Sequence, residues 1–209
     1  MAKENQSVQD RPLQSARVIL CEGADEYDIL VWLREQRKLC EADVEIQNVN
    51  GRTKLLKGLG DLRYQSGGSD VRLVYVVLDA EERAGNDQKL LIDLQAEATK
   101  FAFTLEIFEL PDTVRTGSME TLARDALDTT SKPYQCAEAW HHCLSSSSDA
   151  RTQAQKDKAW THVWLAGCGE FYSRLGFAFK SSPDVRAKLS ALHQRFEALL
   201  QAVLNHPLP

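Results

Sequence analysis

Residues 71–82 read VRLVYVVLDAEE, an apolar run from Val71 to Leu78 followed by three acids in four positions. A near-continuous apolar stretch of this length, rich in β-branched residues, predicts a strand buried on both faces. It stops at Asp79, where a charged side chain no longer fits a packed sheet. Upstream, Arg17 to Cys21 (RVILC) is a second such run, closed by Glu22-Gly23. Val44 to Val49 (VEIQNV) is a third, closed by Asn50-Gly51. Downstream, Ala102 to Leu110 (AFTLEIFEL) is a fourth, broken by Pro111-Asp112. Helical spacing fills the gaps. Asp25 to Leu39 carries Ile29, Leu30 and Leu33 on one face, Asn86 to Lys100 is helical, and Thr53 to Tyr64 is a helix weakened by Gly58 and Gly60. Strands alternating with helices predict an α/β fold of Rossmann-like kind: a mostly parallel four-stranded sheet covered by helices on both faces.

After Gly117 the pattern is helical to the end, with the tetraserine Ser145 to Ser148 as a loop. The last helix, expected from Val185 to Leu204, has one apolar stripe of Leu189, Leu192, Phe196, Leu199, Leu200 and Val203. The expected organisation is a flexible segment over 1–16, an α/β core over 17–128, and a helical C-terminal part over 129–209 packed on that core.

Composition narrows the function. With 43% hydrophobic and 26% charged residues, the 209-residue chain is globular rather than disordered. Its 25 Lys and Arg against 30 Asp and Glu give a net charge of −5, which excludes a basic protein that wraps nucleic acid by charge alone. No run is long and apolar enough for a signal peptide or a membrane span, so a cytoplasmic protein is expected. Five cysteines, an odd number without a CxxC pair, are expected as reduced thiols. Cys136, His141, His142 and Cys143 crowd together, but their spacing matches no standard zinc pattern. They read as a helix face.

In open α/β sheets, ligands bind beyond the carboxyl ends of the strands. Those ends are acidic here. The first strand leaves into Glu22-Gly23-Ala24-Asp25-Glu26, the third into Asp79-Ala80-Glu81-Glu82, and the fourth leads by Pro111-Asp112 to Gly117-Ser118-Met119-Glu120. Asp79 and Glu81 are two apart at a strand end and share a side. Glu22 and Glu26 are four apart across a strand-to-helix turn. Carboxylates held this close repel and raise each other's pKa unless a cation separates them. Oxygen donors select Mg²⁺ or Mn²⁺. Acids at strand exits also serve as turn formers and first-turn helix residues, and that reading stays open.

The segments VILCEGADE and VYVVLDAE resemble the Toprim fold, in which an apolar strand followed by Glu-Gly precedes an apolar strand followed by Asp-x-Asp. The second acid at Glu26 and the later glutamate at Glu120 are similar to the Toprim domains of OLD-family nucleases. A closer likeness is to small stand-alone bacterial Toprim-like proteins with a domain of unknown function. It rests on Pro111, Asp112, Gly117, Met119 and Glu120, then the helix DKAWTHVWLA containing Lys158, then Leu175-Gly176. It runs from about Arg17 to Arg195.

The resemblance implies metal-dependent hydrolysis of a nucleic-acid phosphodiester, DNA or RNA, with Mg²⁺ or Mn²⁺ as cofactor. Glu22, Glu26, Asp79, Glu81 and Glu120 would be the metal ligands. Glu22 would be the shared ligand or general base, and Lys158 the fixed charge that neutralises the reacting phosphate. Arg52 and Lys54, after the second strand, would touch substrate phosphate. One departure is that Glu81 stands where the family has a second aspartate, with Glu82 as a possible substitute. An ABC-type ATPase partner and a role in phage defence are further implications of the likeness. The alternative is a non-catalytic Toprim-like module that binds metal or protein through a degenerate site, with the tryptophans and the C-terminal stripe as a partner or oligomer surface. A primase lacks its zinc-ribbon cysteines here, there is no GxxxxGK for ATP, and a nucleophilic-aspartate phosphohydrolase would open with Asp-x-Asp on the first strand.

Overall fold

The structure, a computed structural model, describes residues 12–80, 86–101, 103–145, 152–171 and 173–208. Glu81 and Glu82 therefore lie outside the described residues, as do Ala102 and most of the tetraserine. Four parallel strands form one sheet in the order β2-β1-β3-β4. They are β1 (Arg17–Cys21), β2 (Glu45–Asn48), β3 (Leu73–Asp79) and β4 (Thr104–Leu110). Ile19 pairs with Ile46 on one side and with Tyr75 on the other, and Val77 pairs with Phe108. β3 is buried from Leu73 to Leu78, as its apolar run predicted. The α/β, Rossmann-like expectation holds, and every strand pair is parallel.

Period-two alternation divides the strands between two cores. Ile19, Cys21, Tyr75 and Val77 face one side. There they meet α1 (Ala24–Gln36), α4 (Met119–Asp125), α6 (Gln153–Gly167), α7 (Leu175–Ser181) and α9 (Ser190–Asn205). Val18, Leu20, Val74, Val76 and Leu78 face the other, under α2 (Leu55–Asp61) and α3 (Asn86–Ala98). The remaining helices are α5 (Lys132–Ser145), which packs on α6, and the short α8 (Pro183–Lys188).

Two expected helices are broken. The stretch from Arg52 to Tyr64 is a 3-10 turn, then α2, then a second 3-10 turn. Gly58 sits in α2 because a Cβ there would lie 2.6 Å from Val49. The C-terminal helix divides at Leu189, which is buried and leaves helical geometry at φ −97° and ψ 36°. Ser182 caps α8 by accepting from the amide of Val185, with Pro183 in its first turn. Leu192, Phe196, Leu199, Leu200 and Val203 are all buried in the core beneath α9, each contributing about 1.5–3 kcal/mol. The stripe is spent on the sheet rather than offered to a partner. Trp160 and Trp164 are likewise internal.

The order β2-β1-β3-β4 sends the chain outward in opposite directions from β1 and β3. α1 and α3 consequently lie on opposite faces, and a crevice opens between the carboxyl ends of β1 and β3. No helix among the described residues is long and apolar enough to cross a membrane.

Candidate metal centre at the carboxyl ends of the strands

β1 ends at Cys21, so Glu22 is the first residue clear of the sheet, and β3 delivers Asp79 beside it. Gly23 then turns the chain into α1 at φ −124° and ψ 174°, which puts Glu26 in the first turn of that helix. Met119 and Glu120 open α4, where Ser118 and Thr121 form a capping box. A cavity of about 550 Å³ lies between these elements, and Glu22, Glu26, Asp79, Glu120 and Lys158 all line it. Five of the expected site residues, drawn from four separate segments, thus share one space. Lys158 comes from the exposed side of α6.

The carboxyls are unequal. Glu26 is 5% exposed and Glu120 is 6% exposed. The Oε2 atom of Glu26 is buried without a hydrogen-bond partner. Burial pushes the Glu26 carboxyl up from 4.5 to about 7, and the charges of Asp25, Glu22 and Glu120 push the same way. Burial also holds Asp79 well above the ordinary aspartate range, reinforced by Glu26, Glu120 and Glu22. Glu120 is raised chiefly by burial, with Lys158 and a hydrogen bond from Ser118 opposing. Asp79 Oδ1 accepts from the amide of Met119 at 3.0 Å, which tethers β3 to the start of α4.

Arg52 approaches from the opposite rim. Its Nη1 donates to the carbonyl oxygen of Asp79 at 2.7 Å and lies 3.3 Å from Glu22 Oε2. The same Glu22 oxygen stands 3.4 Å from the amide nitrogen of Asp79. Arg52 therefore braces the two strand ends and pairs with Glu22. Lys54 is exposed and does not line the cavity. Among the described residues, no three His, Cys, Asp or Glu side chains close on a single ion position.

The chain matches a family described as proteins of unknown function, DUF3226, over residues 16–205. It belongs to that family. No curated protein and no solved structure matches it.

In this DUF3226 chain the expected Leu175-Gly176 segment has a packing reason. A Cβ on Gly176 would lie 2.2 Å from the carbonyl oxygen of Asp25, so only glycine lets α7 dock on the first turn of α1. The Gly176 amide donates to Asp25 Oδ1 at 3.0 Å, and Arg174 stands 3.7 Å from the same carboxylate. Asp25, Asn50, Gln155 and Arg174 also line the cavity. Sequence reading did not assign them. Asp25 was legible as a neighbour of Glu26. Arg174 carried only its place beside Leu175-Gly176.

Proposed function

We propose that this cavity is a divalent-cation site serving hydrolysis of a nucleic-acid phosphodiester, in the manner of OLD-like Toprim nucleases. Glu26 carries the reading. A carboxyl buried to 5% exposure with one oxygen unpartnered, among four further carboxyls, is costly in an apo fold. A bound cation removes that cost. Most of the side-chain donors lining the cavity are oxygens, five of them carboxylates, and none is cysteine or histidine, which suits Mg²⁺ or Mn²⁺. Mg²⁺ commonly keeps several waters and binds one or two carboxylates together with substrate phosphate. Glu22 with Asp79, or Glu26 with Glu120, would supply such a pair without a closed triad.

When bound, such ions supply Lewis acidity and an acidified water. The chain's own residues do the rest. Asp79 is held in place by the amide of Met119, and Arg52 holds Glu22 against β3. Lys158 places a fixed positive charge on the α6 side, where a phosphate entering the cavity meets it. Hydrolysis adds water at phosphorus and breaks one phosphorus–oxygen bond. A partner ATPase is implied by the likeness alone.

A second reading has its own support. The Glu22–Arg52 pair, with the lack of a closed triad among the described residues, suits a non-catalytic module that binds metal or protein. Cleavage assays on single strands, duplexes and supercoiled plasmid with Mn²⁺ or Mg²⁺ separate the two. Hydrolysis predicts cutting that Glu22→Gln and Asp79→Asn abolish while circular dichroism stays unchanged. No cutting with either metal at protein excess rejects it in favour of the module.

A further inference from the structure

The helical path that leads away from Arg52 has a charge pattern opposite to that of the whole chain. Between Arg52 and Tyr64, four basic residues (Arg52, Lys54, Lys57 and Arg63) stand against one acid, Asp61, in a protein of net charge −5. The path runs in succession through the 3-10 turn, α2 and the second 3-10 turn. At about 1.5 Å per residue it covers on the order of 20 Å. Its first residue touches Glu22 and Asp79 at the cavity. Its far end opens on a second cavity of about 560 Å³, lined by Lys57, Arg63, Tyr64, Lys100 and Phe101 among others.

That far end is aromatic as well as basic. Tyr64 is 80% exposed, so its ring adds nothing to the core. The Arg63 guanidinium lies 5.7 Å from the centroid of Tyr64 and 5.8 Å from that of Phe101. Phe101 in turn stacks on Phe103 at 5.4 Å with the planes 21° apart. Lys57 pairs with Asp61, and Lys100 pairs with Glu97, on the surface. Exposed pairs of this kind contribute little to stability, so both ammonium groups are available to exchange onto a phosphate.

We infer that this face is a track for single-stranded nucleic acid, with bases stacking at Tyr64 and Arg63 and phosphates following Lys57 toward the acidic cavity. A flat exposed ring beside a guanidinium reads the π-face of a base, which only an unpaired strand presents. A local basic stripe supplies the phosphate attraction that the chain as a whole lacks. The inference names the substrate class of the proposed hydrolase and rests on that reading for its purpose.

Fluorescence anisotropy in EDTA tests it, with labelled oligodeoxythymidine, oligouridine and duplex DNA, each about 12 units long. Wild type is expected to bind one or both single strands in a salt-dependent way, and more tightly than duplex. Tyr64→Ala should weaken that binding by about tenfold, while Tyr64→Phe stays within about twofold of wild type. Lys57→Gln should lower the salt slope by about 0.7. Single strands bound no better than duplex, or Tyr64→Ala binding like wild type, overturns the track. Cleavage with Mn²⁺ separates the two proposals. Tyr64-dependent binding without cleavage leaves the track standing and removes the hydrolase. Cleavage of single strands by Tyr64→Ala with unchanged KM does the reverse.

Discussion

Arg52 Nη1 donates to the backbone oxygen of Asp79 at 2.7 Å and, from the same nitrogen, lies 3.3 Å from Glu22 Oε2. One guanidinium thus bridges the ends of β1 and β3 and offsets part of the charge that a cation would otherwise meet. Arg52 and a divalent ion compete for Glu22. Arg52→Gln is therefore expected to bind Mn²⁺ roughly threefold or more tightly, because a positive charge a few ångströms from the ligand is gone. The same variant should cleave more slowly, since Glu22 loses its brace. Isothermal titration with Mn²⁺ reads the first effect, and weaker binding in Arg52→Gln would mean that the arginine supports the ion rather than opposing it.

Glu26 gives a pH dependence with a definite sign. Its carboxyl is raised from 4.5 to about 7 by burial and by neighbouring Asp25, Glu22 and Glu120. The folded protein therefore holds a proton that the unfolded chain releases between those values. Apo stability is full below about pH 4.5 and falls as pH rises through 7, by on the order of 3 kcal/mol from this group. Asp79 and Glu120, also raised, add to the fall. Thermal melts from pH 5 to 8 should show Tm decreasing without metal. Glu26→Gln should flatten the curve and be the more stable protein at pH 8. Mn²⁺ should raise Tm more at pH 8 than at pH 5, where protons hold the carboxyls. A wild-type Tm that rises over this range contradicts the assignment.

Gly23 is required by contact and not by backbone geometry. Its φ of −124° suits any residue, but a Cβ would lie 2.7 Å from Glu26 Oε2. Gly23→Ala is expected to fold, to lose at most about 1 kcal/mol, and to bind Mn²⁺ about tenfold more weakly because the carboxylate is displaced. In a Glu26→Ala background the same change should have no further effect on Mn²⁺ binding. An added loss there would show that Gly23 acts through something other than Glu26.

The parallel sheet was legible because its central strands β1 and β3 are buried on both faces, so Val18–Cys21 and Leu73–Leu78 appear as plain apolar runs. The acids at their ends were legible because a charge must leave the sheet where the packing stops. Glu22, Glu26, Asp79 and Glu120 accordingly meet in one cavity. The breaks in helices were not legible. Gly58 and Gly60 marked the second helix as weak but not where its 3-10 turns fall, and the division at Leu189 goes with a burial that leaves no local pattern. Arg52 was legible as a basic residue after β2, the basis for expecting it at a substrate phosphate, but its bracing of Asp79 and Glu22 was not. A side chain that reaches across two strand ends has no sequence spacing to betray it. Asp157 was silent for a related reason. A single acid inside an amphipathic helix reads as solvated, and only tertiary structure shows what surrounds it.

Asp157 is 2% exposed and, from α6, takes two of its three donors from α4. Thr121 Oγ1 donates to it at 2.7 Å, Gln153 Nε2 at 2.9 Å, and Arg124 Nη1 at 3.3 Å. Arg124 continues to Glu138 on α5 at 2.7 Å and lies 5.1 Å over the ring of Trp160. Glu120 and Lys158 each adjoin a member of this network in the chain, so the network fixes how α4 faces α6 at the cavity. Asp157→Ala leaves a buried arginine edge and a threonine hydroxyl without their acceptor. Because Glu138 still holds the other side of Arg124, the cost should be about 2–4 kcal/mol in urea unfolding. Thr121→Val and Asp157→Ala should be non-additive by about 1 kcal/mol. A loss below about 0.5 kcal/mol for Asp157→Ala, as for an ordinary surface substitution, would show that α4 and α6 hold their positions through the apolar contacts of Met119, Ala123 and Trp160 alone.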